Sequence, residues 1–220
     1  MYFGGQGDGP KTAGQVIPKE TFVRALHLLN DKLAEAGKTV TFLCVGGGVM
    51  MLVLGTRQGT EDIDGLLQPS DPDTTEVFHQ LATEVASELN LPEGWINTQV
   101  KDIMHGQTFK RTNFEALPEY SWSNLKLLFA KPGYVLSMKC QAMRVGKKDF
   151  SDIVNLLRLL NIRSLEDLHA ELDKWGRGWD FIGNDEFPAL KLSIAWAFPG
   201  QTEYDYIRVR AEERRRQIKS

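Results

Sequence analysis

An α+β protein is predicted, with a mixed sheet and flanking helices followed by a helical C-terminal lobe. Three observations predict it. Apolar residues recur at three- and four-residue steps before residue 36 and again over 71–89, short apolar runs lie between these stretches, and only helical spacing remains beyond Lys131-Pro132-Gly133. At 220 residues, 42% hydrophobic and 25% charged, the chain has the mass for a sizeable core in one large domain or two small ones.

Residues 1–16 are glycine-rich, with neither a basic start nor an apolar h-region, and are expected to be a flexible lead-in rather than a secretion signal. Pro18 opens a helix on which Phe22, Ala25, Leu26, Leu29, Leu33 and Ala34 share a face, and Gly37 ends it. Val40, Phe42 and Cys44 alternate with Thr41 and Leu43 as a mostly buried strand. Three glycines follow, and Val49–Leu54 is compatible with a buried helix closed by Gly55. Asp62–Leu67 reads as the next strand. Asp71 then caps a helix with Pro72 at its first position, striped by Val77, Leu81, Val85 and Leu89 and widened by Ala82 and Ala86.

Strands are expected at 96–104, 108–114 and 124–129. After the hinge at Lys131, helices are expected at 134–145, 149–161 and 164–175, with a last one ending near Gln217; Ser164 and Asp167 have capping-box spacing. The domains are then 17–131, α/β, and 132–220, helical.

The formal charge of −3 provides no overall field toward nucleic acid or membrane. Cys44 and Cys140 match no metal-ligand spacing and read as buried, reduced thiols of a cytoplasmic protein. The longest apolar stretch, Val45–Leu54, is broken by glycines and too short to span a bilayer, so no membrane partner is expected.

Most of the chemistry lies in residues 45–64. Gly46, Gly47 and Gly48 remove side chains where backbone must approach something closely, and a helix starting at Val49 would turn its first N–H groups toward an anion such as phosphate. A tight strand–helix crossing would need the same small residues. Asp62 and Asp64, two positions apart on a strand, share one face and lie about 7 Å apart along it. Their repulsion is roughly 2 kcal/mol at an effective dielectric of 20, so a bridging cation is favoured. Mg²⁺ suits two carboxylates because it keeps waters or phosphates in its other positions. A solvated strand end bearing two unconnected acids remains the bland alternative.

The glycines, 13 residues after Gly48, and then Asp62-Ile63-Asp64 together resemble the nucleotidyltransferase superfamily of polymerase-β-like fold. The run Arg57-x-x-Thr60-x-Asp62 resembles bacterial AbiEii-type and related toxin–antitoxin nucleotidyltransferases. Lys139-x-x-Ala142-x-Arg144 and Lys147-Lys148-Asp149-x-x-Asp152 are similar to the second block of those families. The resemblance implies a nucleotidyltransferase-like sheet that takes Mg²⁺ or Mn²⁺ and an NTP as substrate. It implies transfer of a nucleoside monophosphate to a hydroxyl of tRNA or protein, in a toxin–antitoxin or phage-defence setting, with a cognate antitoxin as partner.

Carried onto this chain, Asp62 and Asp64 hold metal and, with Lys139, form the catalytic set. Gly46, Gly47, Gly48, Arg57, Thr60, Lys139, Arg144 and Asp152 bind nucleotide. Asp149 and Asp152 also suit the first turn of a helix, where acids are favoured, and pairing with Lys139 or Arg144.

The pattern is incomplete in one place. Family members present a third acid on a later strand as proton acceptor, whereas the stretch from Trp95 to Asp102 offers neutral Asn97 and, only in one register, Asp102. The alternative is therefore a catalytically impaired nucleotide- or RNA-binding regulator or scaffold on the same fold. His105 is an isolated loop histidine, and no Ser/His/Asp or Cys/His nucleophile pattern is present. The run of Arg208, Arg210, Arg214, Arg215, Arg216 and Lys219 reads as a solvated terminal helix before an RNA contact. Trp175, Trp179, Phe181, Trp196 and Phe198 read as packing for the helical lobe.

Overall fold

The computed structural model of the protein describes residues 15–98, 100, 110–142, 148–176 and 187–219. A two-residue strand β1 (Ile17–Pro18) leads into helix α1 (Lys19–Glu35), which buries Phe22, Ala25, Leu26, Leu29 and Leu33. Ala34, expected on that face, is exposed. Gly37, at φ +64°, turns the chain after the helix as expected. The buried run β2 (Val40–Val45) then enters helix α2 (Gly46–Leu52) with no intervening loop. The helix therefore starts on the glycines and not at Val49. It is only seven residues long.

The carbonyl end of α2 is held from outside. Leu52 O accepts from Lys19 Nζ at 3.0 Å and from Tyr120 Oη at 3.3 Å, while Met50 O accepts from the Thr56 backbone N–H at 3.0 Å and its hydroxyl at 3.1 Å. These partners serve the orphan carbonyls of a helix too short to be stable alone. Gly55, at φ +62°, follows. Strand β3 (Gly59–Thr60) pairs antiparallel with β1.

Strand β4 (Ile63–Gln68) begins one residue after Asp62 and ends one residue beyond Leu67. Ile63, Gly65 and Leu67 face the buried layer, so Asp64 projects from the opposite side. Helix α3 (Pro72–Leu89) opens as expected, with Asp71 Oδ1 accepting the Thr74 N–H at 2.9 Å. Its core face differs from the expected stripe: Thr74, Phe78, Ala82, Val85 and Ala86 are buried, and Val77, Leu81 and Leu89 flank them. Phe78 stacks on Phe42 with ring centroids 5.8 Å apart, and that large ring sets the rotation of the helix.

Strand β5 covers Ile96–Asn97, shorter than the run expected from residue 96, and residues 101–109 lie outside the described residues. The expected strand at 108–114 is replaced in its described part by a short 3₁₀ turn (Arg111–Asn113) leading into β6 (Phe114–Ser121). Pro118 is tolerated because β6 occupies the sheet edge. Strand β7 (Leu125–Ala130) matches expectation within a residue. The sheet order is β5-β4-β2-β7-β6. β2 runs antiparallel to β4 and parallel to β7; β4 and β5 are parallel, and β6 and β7 antiparallel.

Beyond Ala130 the described elements are helices: α4 (Pro132–Gln141), α5 (Lys148–Leu160), α6 (Leu165–Lys174), α7 (Phe187–Ala197) and α8 (Asp205–Lys219). Ser164 Oγ caps α6 by accepting the Asp167 N–H at 3.0 Å. Helix α7 was not expected; its Leu190, Ile194, Ala195 and Ala197 are buried, and its pattern is apolar enough to lack a clear polar face. One hydrophobic cluster runs from Ile17 through the sheet to Tyr204, with Trp175, Trp196 and Phe198 packed against it. Trp179 and Phe181 lie outside the described residues. Among the described residues no helix is long and apolar enough to cross a membrane.

Candidate functional site

The antiparallel register of β2 and β4 pairs Val45 with Asp64. That pairing brings the acid to the residue where the glycine turn begins. A Cβ built on Gly46, whose φ is +60°, would lie 3.7 Å from Asp64 Oδ2. Across β4 on its other side, the parallel register pairs Asp64 with Asn97 of β5. The Asn97 amide donates to Asp62 Oδ2 at 3.4 Å. One amide thus borders both carboxylates, as the shared-face expectation for Asp62 and Asp64 requires.

The three glycines serve different ends. A Cβ on Gly48 would meet Cys44 Sγ at 2.7 Å and Ile63 Cγ2 at 2.9 Å, so its missing side chain lets α2 lie against the sheet. A Cβ on Gly47 would meet Thr60 Oγ1 at 2.6 Å and Arg57 Nη1 at 3.3 Å. Gly47 therefore keeps bare backbone beside a hydroxyl and a guanidinium. Thr60 is buried and belongs to β3, which β1 holds in register through Ile17.

Arg57 is anchored from the far half of the chain. Asp152 Oδ1 on α5 accepts Arg57 Nε at 2.9 Å, and Asp152 Oδ2 accepts Arg57 Nη2 in a second, short bond. The paired contact fixes the guanidinium plane, as forked arginine–carboxylate contacts do. The same Asp152 oxygen lies 2.9 Å from Lys139 Nζ on α4, which also donates to Asp149 Oδ1 at 2.8 Å. Asp152 is 1% exposed. Buried charges persist in this way only when partners and hydrogen bonds compensate them, and removing one partner of such a pair costs roughly 3–5 kcal/mol. The expected pairing of Asp149 and Asp152 with Lys139 is present, whereas Arg144 lies outside the described residues. The Arg57–Asp152 contact, 95 residues apart in sequence, was not expected.

Burial pushes the Asp64 carboxyl above the usual carboxylate range, while the Asn97 amide and the Lys139 charge partly offset it. Burial, with the Asp64 charge second, also pushes the Cys44 thiol up, and burial alone pushes Cys140 to about 12. Both cysteines remain free thiols, as expected.

Among the described residues no group of three or more His, Cys, Asp or Glu side chains could hold a metal ion. Among the described residues the donor set is the Asp62/Asp64 pair. A pair still fits Mg²⁺, which commonly takes one or two carboxylates and completes its octahedron with phosphate oxygens and water. The desolvated Asp64 beside a second acid is the kind of donor that a cation would relieve. Asp102 and His105 lie outside the described residues.

Comparison with family models, with characterised proteins and with solved structures finds no match to this chain. Function is therefore inferred from the residues and their placement.

Proposed function

We propose that the protein is a Mg²⁺-dependent nucleotidyltransferase that moves a nucleoside monophosphate from an NTP to a hydroxyl of tRNA or a protein, as a toxin–antitoxin or phage-defence component. One observation carries this: a carboxylate and a guanidinium meet at the same bare backbone, Asp64 against Gly46 and Arg57 against Gly47. An NTP needs such a combination, with amides and a guanidinium for its phosphates and carboxylates for its metal. Magnesium on Asp62 and Asp64 would supply charge neutralisation at the α-phosphate.

Each side chain then has a task. The backbone N–H groups of Gly46 and Gly47 take phosphate oxygens. Arg57, with its plane fixed by Asp152, takes another, and Lys139 adds a point charge. The acceptor oxygen bonds to the α-phosphorus, the bond to the bridging oxygen breaks and pyrophosphate leaves, while the acceptor proton passes to water.

A specific observation favours a second reading. Asn97, not an acid, stands in register beside Asp64, so the strand next to the pair supplies no proton acceptor at that position. A regulator that binds nucleotide without transferring it would have this arrangement.

Incubation with each α-³²P-labelled NTP, Mg²⁺ or Mn²⁺, and total RNA or protein separates the two. The enzyme is expected to label an acceptor. Asp62→Ala should lower labelling by more than about a hundredfold, since loss of a direct ligand exceeds the effect of losing an outer partner. Saturable NTP binding without transfer to any acceptor supports the regulator.

A further inference from the structure

We infer that Asn97 is a positioning residue that holds Asp62 and Asp64 for a divalent cation and limits their centre to a single ion. The inference rests on the reading of that pair as a metal centre and goes beyond it by assigning a role and a capacity.

Three features of the molecule support it. The ladder between β4 and β5 fixes Asn97 opposite Asp64, so its location depends on backbone pairing and not on a flexible side chain. Its amide nitrogen reaches Asp62 Oδ2 at 3.4 Å, which ties the residue before β4 to β5. The neighbouring residues are anchored as well: the Trp95 carbonyl accepts the Ile63 N–H at 2.9 Å, and Trp95 Nε1 donates to Ala82 O at 2.9 Å. Thr98, on the other side, lies 3.0 Å from His79 Nε2 of α3. Asn97 thus lies between two anchored residues, Trp95 two positions before it and Thr98 directly after, with its side chain aimed at the acids.

An amide in that place has two chemical consequences. It donates hydrogen bonds to carboxylates, so it can keep two like charges side by side before a cation arrives. It also brings no negative charge of its own. Two ions a few ångströms apart repel strongly, and paired-metal sites offset that repulsion with additional anionic ligands. Asp62 and Asp64 together carry only the charge of one divalent ion.

The test is titration of the intact protein with Mn²⁺ alone, without nucleotide, read by electron paramagnetic resonance of the unbound ion. Wild type is expected to bind one Mn²⁺ per chain, and Asp64→Asn to abolish that binding. Asn97→Ala, with folding checked by circular dichroism, should still bind one ion but about 10–100-fold more weakly, as loss of an outer partner typically does. Asn97→Asp should bind more tightly than wild type and admit a second ion.

A merely structural Asn97 would lower the melting temperature of Asn97→Ala and leave its Mn²⁺ affinity at the wild-type value, which overturns the inference. Two ions in wild type also overturn it while leaving a metal centre at the pair intact. Absence of Mn²⁺ binding by wild type overturns this inference, and its absence with a non-hydrolysable NTP analogue present as well overturns the metal centre beneath it. The wild-type stoichiometry decides the single-ion capacity even if a variant fails to fold.

Discussion

Burial sets the charge of Asp64 against the stability of the fold. Its carboxyl is pushed above the usual range by burial, so the folded chain holds that proton more tightly than the unfolded chain does. The cost of its charge is therefore absent below the unfolded pKa and grows as pH rises through the folded value. Asp64→Asn removes the charge at every pH. In EDTA at neutral pH it should melt at a higher temperature than wild type, and the gap should close as the solution is acidified. A variant that melts lower at neutral pH would show that the carboxylate is structurally favourable. Asp62 and Asp64 were readable as a pair from spacing alone, because strand alternation is independent of context. The tie between Arg57 and Asp152 was not readable, since nothing local links partners 95 residues apart.

At the scale of elements, the glycine turn is where a packing explanation and a binding explanation divide. Gly48 belongs to packing: an added methyl group would press on buried Cys44 and Ile63, both part of the core beneath α2. Gly48→Ala should cost about 1–3 kcal/mol, the usual range for overpacking, and a lowered midpoint in urea denaturation would register it. An unchanged midpoint would mean that α2 can lift from the sheet without penalty.

Periodicity identified α1, α3, α5 and α6 because each buries one stripe, and the caps at Asp71 and Ser164 marked two of their starts. It missed α7, whose apolar residues leave little contrast between faces. It also began α2 too late, because glycine is a poor predictor of helix even where tertiary contacts impose one. Those contacts are the bonds that Lys19, Tyr120 and Thr56 make to its carbonyl end.

For the whole molecule, the sheet half contributes the acids and the bare backbone, and the helical half contributes Lys139, Asp149 and Asp152. The α+β class and the change to helices after Ala130 were foreseen from apolar spacing, whereas the sheet order was not, because strand pairing between distant segments leaves no local trace. Among the described side chains Arg57, Lys139, Asp149, Asp152, Asp62 and Asp64, two positive charges stand against four acids. A highly charged triphosphate would meet net negative charge there unless a cation accompanies it. The most direct test is therefore anomalous diffraction from crystals grown with Mn²⁺ and a non-hydrolysable NTP analogue. The expected map has one manganese peak on the Asp62 and Asp64 carboxylates, with the triphosphate against Gly46 and Gly47 and within reach of Arg57. Manganese away from these acids, or a nucleotide bound on another face, would contradict a shared centre.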